Sequence, residues 1–200
     1  MLVAVVSGRA LGDLRARVRV SGVVYGGCHG LEIVGPGLRF RHPRARAAPV
    51  AAVRRRLVSG AHAIPGVRVE FKRLVVSLHY RAVVPSRHAA VRALAASVAR
   101  AVPGFVVVPG RRVFDFVPRV RWDKGRAVCW IVGRARRALA PGPPVVLYVG
   151  DDTTDEAAFA AVGRGGITVH VGDGPTRAAH TVRGVREVHS LLRRLERATR

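Results

Sequence analysis

Residues 145–159 read Val-Val-Leu-Tyr-Val-Gly-Asp-Asp-Thr-Thr-Asp-Glu-Ala-Ala-Phe, and they decide the fold. Five apolar residues run into a glycine turn, and Asp151, Asp152, Asp155 and Glu156 follow within six positions. Such a run predicts a buried strand, and the acids after it predict the first turn of a helix. The chain has only 12 acidic residues against 35 basic ones. Four carboxylates gathered on one strand-to-helix turn raise one another's pKa unless a cation neutralises them. Hard oxygen ligands on a short turn suit Mg²⁺. The plainer reading is a helix start, in which Thr153 and Glu156 form a capping box and acids favour the helix N-terminus. That reading accounts for Asp155 and Glu156 and leaves the Asp151–Asp152 pair to the metal.

Working outward, the C-terminal part alternates strands and helices. A helix is predicted from about Lys124 to the prolines at 141–144, then strand 145–149, helix 154–162, strand 167–171 and a closing helix near 187–197. The N-terminal part is similar in texture. Residues 2–6 read as a buried strand, 10–18 as a short helix with Asp13 among its arginines, and 23–25 and 31–34 as strands around a glycine-rich turn. Gly35-Pro36-Gly37 marks a break. The middle differs: an Arg-rich helical stretch over 44–63 interrupted at Pro49, strands 67–72 and 74–80, a helix over 87–101 with Ser86 as N-cap, and a hairpin of 105–108 with 112–117. Buried strands alternating with helices imply an α/β fold with a parallel sheet, whose ligands gather at the strands' carboxyl ends. The middle reads as a separate α+β insertion. The expected division is core over 1–37, insertion over 38–117 and core again over 118–200.

Two hundred residues suffice for one sizeable domain or two small ones. No apolar run approaches the length that spans a bilayer, and the opening residues do not read as a secretory signal. Cys28 and Cys129 stand far apart, which excludes a disulfide framework and predicts a reducing, cytoplasmic setting. A net charge of +23 raises the question of nucleic acid. The arginines, however, are spread through every segment, and aromatic residues make up only 6% of the chain. No basic platform interleaved with aromatics results, so nucleic acid is not the expected partner. All but two of the 35 basic residues are arginine. Lys72 and Lys124 are the exceptions, and a site that needs a compact ammonium cannot freely accept the guanidinium fork.

Polar motifs stand where such a sheet would present them. They are Ser7-Gly8-Arg9 after the first strand, Asp123-Lys124-Gly125 at a helix start and Gly150-Asp151-Asp152 after a later strand, with Glu70-Phe71-Lys72 in the insertion. A hydroxyl, an ammonium and a helix N-terminus together suit a phosphate, and an adjacent Mg²⁺ would favour phosphoryl transfer. Val-Ser-Gly-Arg at 6–9, His-Gly-Leu-Glu at 29–32, Glu-Phe-Lys at 70–72, His-Tyr-Arg at 79–81, Trp-Asp-Lys-Gly at 122–125 and Gly-Asp-Asp-Thr-Thr-Asp-Glu at 150–156 occur in that order. In this series the chain resembles the trehalose-6-phosphate phosphatases of the haloacid dehalogenase superfamily, over nearly all its length. Each motif alone is weak; the six together are specific.

The resemblance implies a haloacid dehalogenase-like, Rossmannoid core with an inserted α+β cap. It also implies Mg²⁺-dependent hydrolysis of trehalose 6-phosphate to trehalose and phosphate. Ser7 would donate to a phosphoryl oxygen, or simply be a satisfied strand-end serine. Lys124 would neutralise the phosphate and the nucleophile. Asp151 and Asp155 would serve the metal, with Asp152 in its hydrogen-bonded or water-mediated surroundings. Arg9 would join the substrate site. Glu70 and Lys72 would read glucose hydroxyls or, in the plainer reading, form a cross-strand or same-face ion pair. His29 and Glu32 would serve the sugar or the cap hinge, and His79 reads as a strand histidine with an ordinary hydrogen bond. A trehalose-phosphate synthase is the pathway partner implied. Asp115 stands where the family often has Glu.

The family's chemistry also needs an Asp-x-Asp segment, whose first carboxylate forms an acyl phosphate and whose second is general acid and base. No Asp-x-Asp occurs in the sequence. The expectation is that the first, central strand and its helix are missing, that exposed strand edges follow, and that these residues alone do not turn over. Two alternatives stand: a non-catalytic sugar-phosphate-binding pseudo-phosphatase, and a phosphatase of another sugar phosphate.

Overall fold

The structure is a computed structural model, and it describes residues 1–46, 49–136 and 144–198. By its contacts the chain forms two compact units, Met1–Arg121 and Trp122–Arg200.

The first unit holds two four-stranded sheets. One is ordered β1-β2-β3-β4, from Ala4–Val6, Val24–Gly27, Glu32–Gly35 and Leu38–Arg41. β1 and β2 are parallel, joined through helix α1 (Leu11–Val18), and the rest are antiparallel. The expected break at Gly35-Pro36-Gly37 is the turn of the β3–β4 hairpin, since Gly35 pairs with Leu38 and Gly37 has a φ of +65°. Proline followed by a left-handed glycine suits the two central positions of a type II turn.

The second sheet is ordered β5-β6-β8-β7, from Arg68–Phe71, Val76–His79, Val113–Pro118 and Phe105–Gly110, all antiparallel. Its apolar face packs on helices α3 (Val50–Ala61) and α4 (His88–Ala101), preceded by the short α2 (Pro43–Arg46). Val53, Leu57, Val91, Val76, Leu78, Phe105 and Phe116 are fully buried there. Period-two alternation in the strands and apolar residues three and four apart in the helices make this core. Pro49 precedes α3 as its N-cap, so the interruption read in the sequence is a helix boundary. Ser86 does not cap α4: it lies inside a 3₁₀ turn over Pro85–Arg87, and the capping position is Arg87.

The second unit is a parallel sheet ordered β11-β10-β9, from His180–Val182, Ile167–Val171 and Leu147–Gly150. Helices α5 (Lys124–Ala135), α6 (Glu156–Val162) and α7 (Val185–Ala198) accompany it. The end of the helix expected before Pro141 falls at 137–143, outside the described residues. Phe159 of α6 anchors the interior and meets Tyr148 and His170 edge-on. No helix among the described residues is long and apolar enough to cross a membrane.

Two apolar residues expected inside buried strands, Val3 and Val145, lie just before β1 and β9 instead. Val3 is 45% exposed and Val145 77% exposed. Among the described strands, β1 pairs only with β2 and β9 only with β10, so each has one open edge.

Candidate active site

In the first unit the site begins at the carboxyl end of β1. Ser7 N–H donates to Gly26 O (2.8 Å), while Ser7 O and Arg9 O accept from His29 N–H (2.9 Å) and Cys28 N–H (2.7 Å). This lattice holds a turn in which Cys28, His29 and Gly30 all have positive φ, at 51°, 59° and 84°. Two consecutive non-glycine residues in that region are costly and persist only where their surroundings enforce them. The turn directs His29 at Asp115 of β8, with Nε2 3.0 Å from Oδ2. Lys72, just after β5, donates to Gly8 O (3.1 Å) and to Asp115 Oδ1 (3.3 Å). The Ser77 hydroxyl donates to Asp115 Oδ1 as well. Burial raises the Asp115 pKa, but the His29 bond, the Lys72 charge and the Ser77 hydroxyl outweigh it and hold the carboxyl at about 2. Cys28 donates Sγ–H to Lys72 O, and burial together with nearby Glu32 pushes its thiol up to about 12.

Lys72 and His29 thus meet in one network with Asp115 and Ser77. Glu70 lies apart, with Oε2 2.6 Å from His79 Nε2. Glu70 and Lys72 do not pair with each other; Glu70 pairs across strands with His79 and Lys72 with Asp115 of β8. Glu32 is buried and paired with Arg41 (2.8 Å), directly opposite on β4. Its carboxylate therefore serves the β3–β4 hairpin. Arg9 is held by Asp13 (2.9 Å) at the surface of α1, and Ser7 Oγ accepts from Arg9 N–H (3.3 Å).

In the second unit the acidic turn is organised around Asp155. Lys124 is the first residue of α5 and 7% exposed. Its Nζ donates to Asp155 Oδ1 (2.9 Å), Tyr148 OH donates to the same oxygen (2.5 Å), and Asp152 N–H donates to Oδ2 (3.0 Å). Burial, with Asp155 next, pushes the Tyr148 phenol upward, so it stays a donor. The capping box is formed by Asp152 and Asp155 rather than by Thr153 and Glu156. A 3₁₀ turn over Thr153–Asp155 begins one residue earlier than the helix start read from the sequence, and α6 follows it at Glu156. Glu156 instead accepts from Thr176 Oγ1 and Arg177 N–H, both at 2.7 Å. At Gly150 any Cβ would lie 2.4 Å from Asp155 Cγ, so only glycine lets the carboxylate fold back over the strand end.

Asp155 thus accepts from Lys124, Tyr148 and a backbone amide. What remains for a cation is different. Asp151 is exposed and takes no hydrogen bond from the described residues, and the buried Thr154 Oγ1 has no partner. Asp152 keeps only local contacts, with Thr153 Oγ1 at 3.1 Å and its own cap. Among the described residues no three His, Cys, Asp or Glu groups converge as a complete metal cage. One or two carboxylates are what Mg²⁺ commonly takes from a protein when a phosphate supplies further oxygens. The donor set of hard oxygens at 151–154 therefore fits the ion. Tyr148, Ser77 and Asp115 were not singled out as site residues in the sequence, because strand register and turn geometry, not local spacing, bring their partners to them.

The chain matches the family model described as trehalose-phosphatase over residues 1–185. A trehalose-phosphate phosphatase of Mycolicibacterium paratuberculosis is 42% identical over 167 residues, covering 82% of this chain and 42% of that protein. A Mycobacterium tuberculosis protein described as an uncharacterized glycosyl hydrolase is 40% identical over 192 residues, covering 90% of this chain and 14% of its own length. The chain thus spans less than half the length of these relatives. In fold it is similar to the crystal structure of a trehalose-6-phosphate phosphatase related protein, with a TM-score of 0.82 at 22% identity over 98% of this chain and 81% of that one.

Proposed function

Because the chain belongs to the trehalose-phosphatase family, we propose that the protein carrying it is a phosphatase that hydrolyses trehalose 6-phosphate to trehalose and phosphate, in the cytoplasm and alongside a trehalose-phosphate synthase. The observation that carries the reading is the Lys124–Asp155–Tyr148 arrangement at the start of α5 and α6, beside a free Asp151. A buried ammonium held by one carboxylate has a fixed direction, which suits a phosphoryl group better than a mobile surface lysine would. Tyr148 shares the Asp155 oxygen, so the carboxylate does not belong to Lys124 alone.

Asp151, with Asp152 beside it, would hold Mg²⁺. The ion would supply charge neutralisation at the phosphoryl oxygens. Ser7 would donate its hydroxyl to the phosphate, Arg9 would lie at the substrate's edge, and Lys72, Glu70 and Asp115 would face the sugar. The attacking carboxylate is not among the 200 residues, which contain no Asp-x-Asp. The proposal therefore concerns the protein that supplies it together with them.

The test is phosphate release from trehalose 6-phosphate by protein that includes the attacking aspartate. D151N should lower Mg²⁺-dependent turnover by at least about a hundredfold, the scale of losing one electrostatic contact in a transition state. An unchanged rate, or an unchanged Mg²⁺ requirement, would refute the assignment of Asp151.

A further inference from the structure

Strand β6 sorts its side chains into two sets. Val76 and Leu78 are fully buried in the core beneath the sheet. Ser77 and His79, at alternate positions, must therefore lie on the opposite face. Register sets Ser77 opposite Glu70 on β5 and opposite Asp115 on β8. Glu70, Ser77 and Asp115 thus form one row across three strands, with His79 two residues along. Each carboxylate of the row is held by one residue of β6. Ser77 donates to Asp115, and His79 Nε2 stands 2.6 Å from Glu70 Oε2. An ionised carboxylate can only accept, so the imidazole donates.

The two carboxylates differ in what they have left to offer. The Asp115 side chain is 10% exposed and bonded to Lys72, His29 and Ser77. Glu70 is 29% exposed, and its Oε1 accepts no hydrogen bond among the described residues. The nearest guanidinium, that of Arg68, is 4.0 Å away and 71% exposed. A half-exposed anion with one free acceptor and no tight cation repels phosphate and suits a neutral hydroxyl. Left alone, a glutamate side chain on a strand samples many rotamers, and fixing it beforehand lowers the cost of binding.

We infer that His79 is a positioning residue for recognition of the substrate's sugar: it fixes Glu70 through Oε2 so that Oε1 is aimed at a hydroxyl of the disaccharide. This rests on the phosphatase reading above and deepens it. The imidazole does not touch the sugar and acts only through Glu70.

The probe is trehalose itself, which carries no phosphate and isolates the sugar contacts, titrated calorimetrically into protein that includes the attacking aspartate. H79A should weaken binding about tenfold, the scale of one lost charge-assisted hydrogen bond. E70Q should weaken it at least as much. H79Q, whose amide can still donate to Glu70, should stay within about twofold of the unaltered chain. A merely structural histidine would not be rescued in this way, and thermal melting checks that each variant is folded. If H79A does not fold, H79L against H79Q gives the same comparison at similar volume. Loss in E70Q with no loss in H79A or H79L overturns the inference and leaves the phosphatase reading standing. Binding indifferent to E70Q overturns the inference together with the sugar contact assigned to Glu70. No binding of trehalose by the unaltered protein overturns the inference, while phosphate release from trehalose 6-phosphate decides the phosphatase reading separately.

Discussion

Asp115 shows what a single buried carboxylate contributes to this protein. It is 7% exposed, and its pKa is held at about 2 against an ordinary value of 3.8. A depressed folded-state pKa stabilises the fold above the unfolded value, and that stability is lost as pH falls through the folded one. The contribution, about 2 kcal/mol, should therefore be complete above roughly pH 4 and disappear between there and about pH 2. Unfolding followed against pH is the measurement. D115N should be less stable at neutral pH and should show a flatter acid limb over that interval; an unchanged limb would mean that the network around Asp115 does not hold in solution. At this scale the sequence was informative about cations and poor about their partners. The scarcity of lysine picks out Lys72 and Lys124, which are 6% and 7% exposed and each paired with a carboxylate. The partner of Lys72 lies 43 residues away and that of Lys124 lies 31 away. Those pairings are set by strand register and helix placement, which composition and local spacing do not encode. The acidic cluster at 151–156 was visible as a cluster, but the division of labour within it was not. Which carboxylate turns inward depends on the absence of a Cβ at Gly150.

Among elements, the approach of α5 to α6 is the tightest joint of the second unit. A Cβ at Gly125 would lie 2.3 Å from Ala157 O and 2.8 Å from its carbonyl carbon. Backbone cannot move aside as a side-chain tip can, so G125A should push the helices apart and cost about 1–3 kcal/mol. Ordinary helix propensity would make the same change favourable. A lowered melting temperature in G125A checks the packing argument, and a raised one would refute it. Lys124 precedes this glycine, so the displacement should also loosen its bond to Asp155. Most elements were legible from periodicity: the α/β alternation after residue 118, the helix at 88–101 and the 105–118 hairpin all follow from their apolar spacing. The strands β4 and β11 were missed. Leu38–Arg41 and His180–Val182 are short and mostly polar, and they become strands by pairing with neighbours rather than through their own pattern. At helix starts the cap is chosen by geometry, which is why Ser86 and Thr153 lose the role to Arg87 and Asp152.

Over the whole chain, charge and apolar content pull toward different interpretations, and the structure separates them. The net charge of +23 comes from arginines that mostly lie on exposed surfaces. The two known exceptions to that solvated coat are the buried ammonium groups described above. Among the described strands β1 and β9 each leave one edge unpaired, and an unpaired strand edge can take a further strand. The fold class was readable because a buried parallel strand followed by a helix has few arrangements. The exposure of Val3 and Val145 was not readable, because an apolar strand has the same sequence whether one or both of its edges are covered.

The two cysteines lend themselves to a practical use. Cys28 is buried, donates a hydrogen bond to a carbonyl and has a thiol pushed up to about 12, whereas Cys129 stands exposed on α5. Alkylation requires the thiolate and a path to it. A maleimide dye at neutral pH should therefore attach at Cys129 alone, and mass spectrometry of the digested product would show one modified peptide. The native chain would then carry a fluorophore on the helix that bears Lys124, without a single substitution.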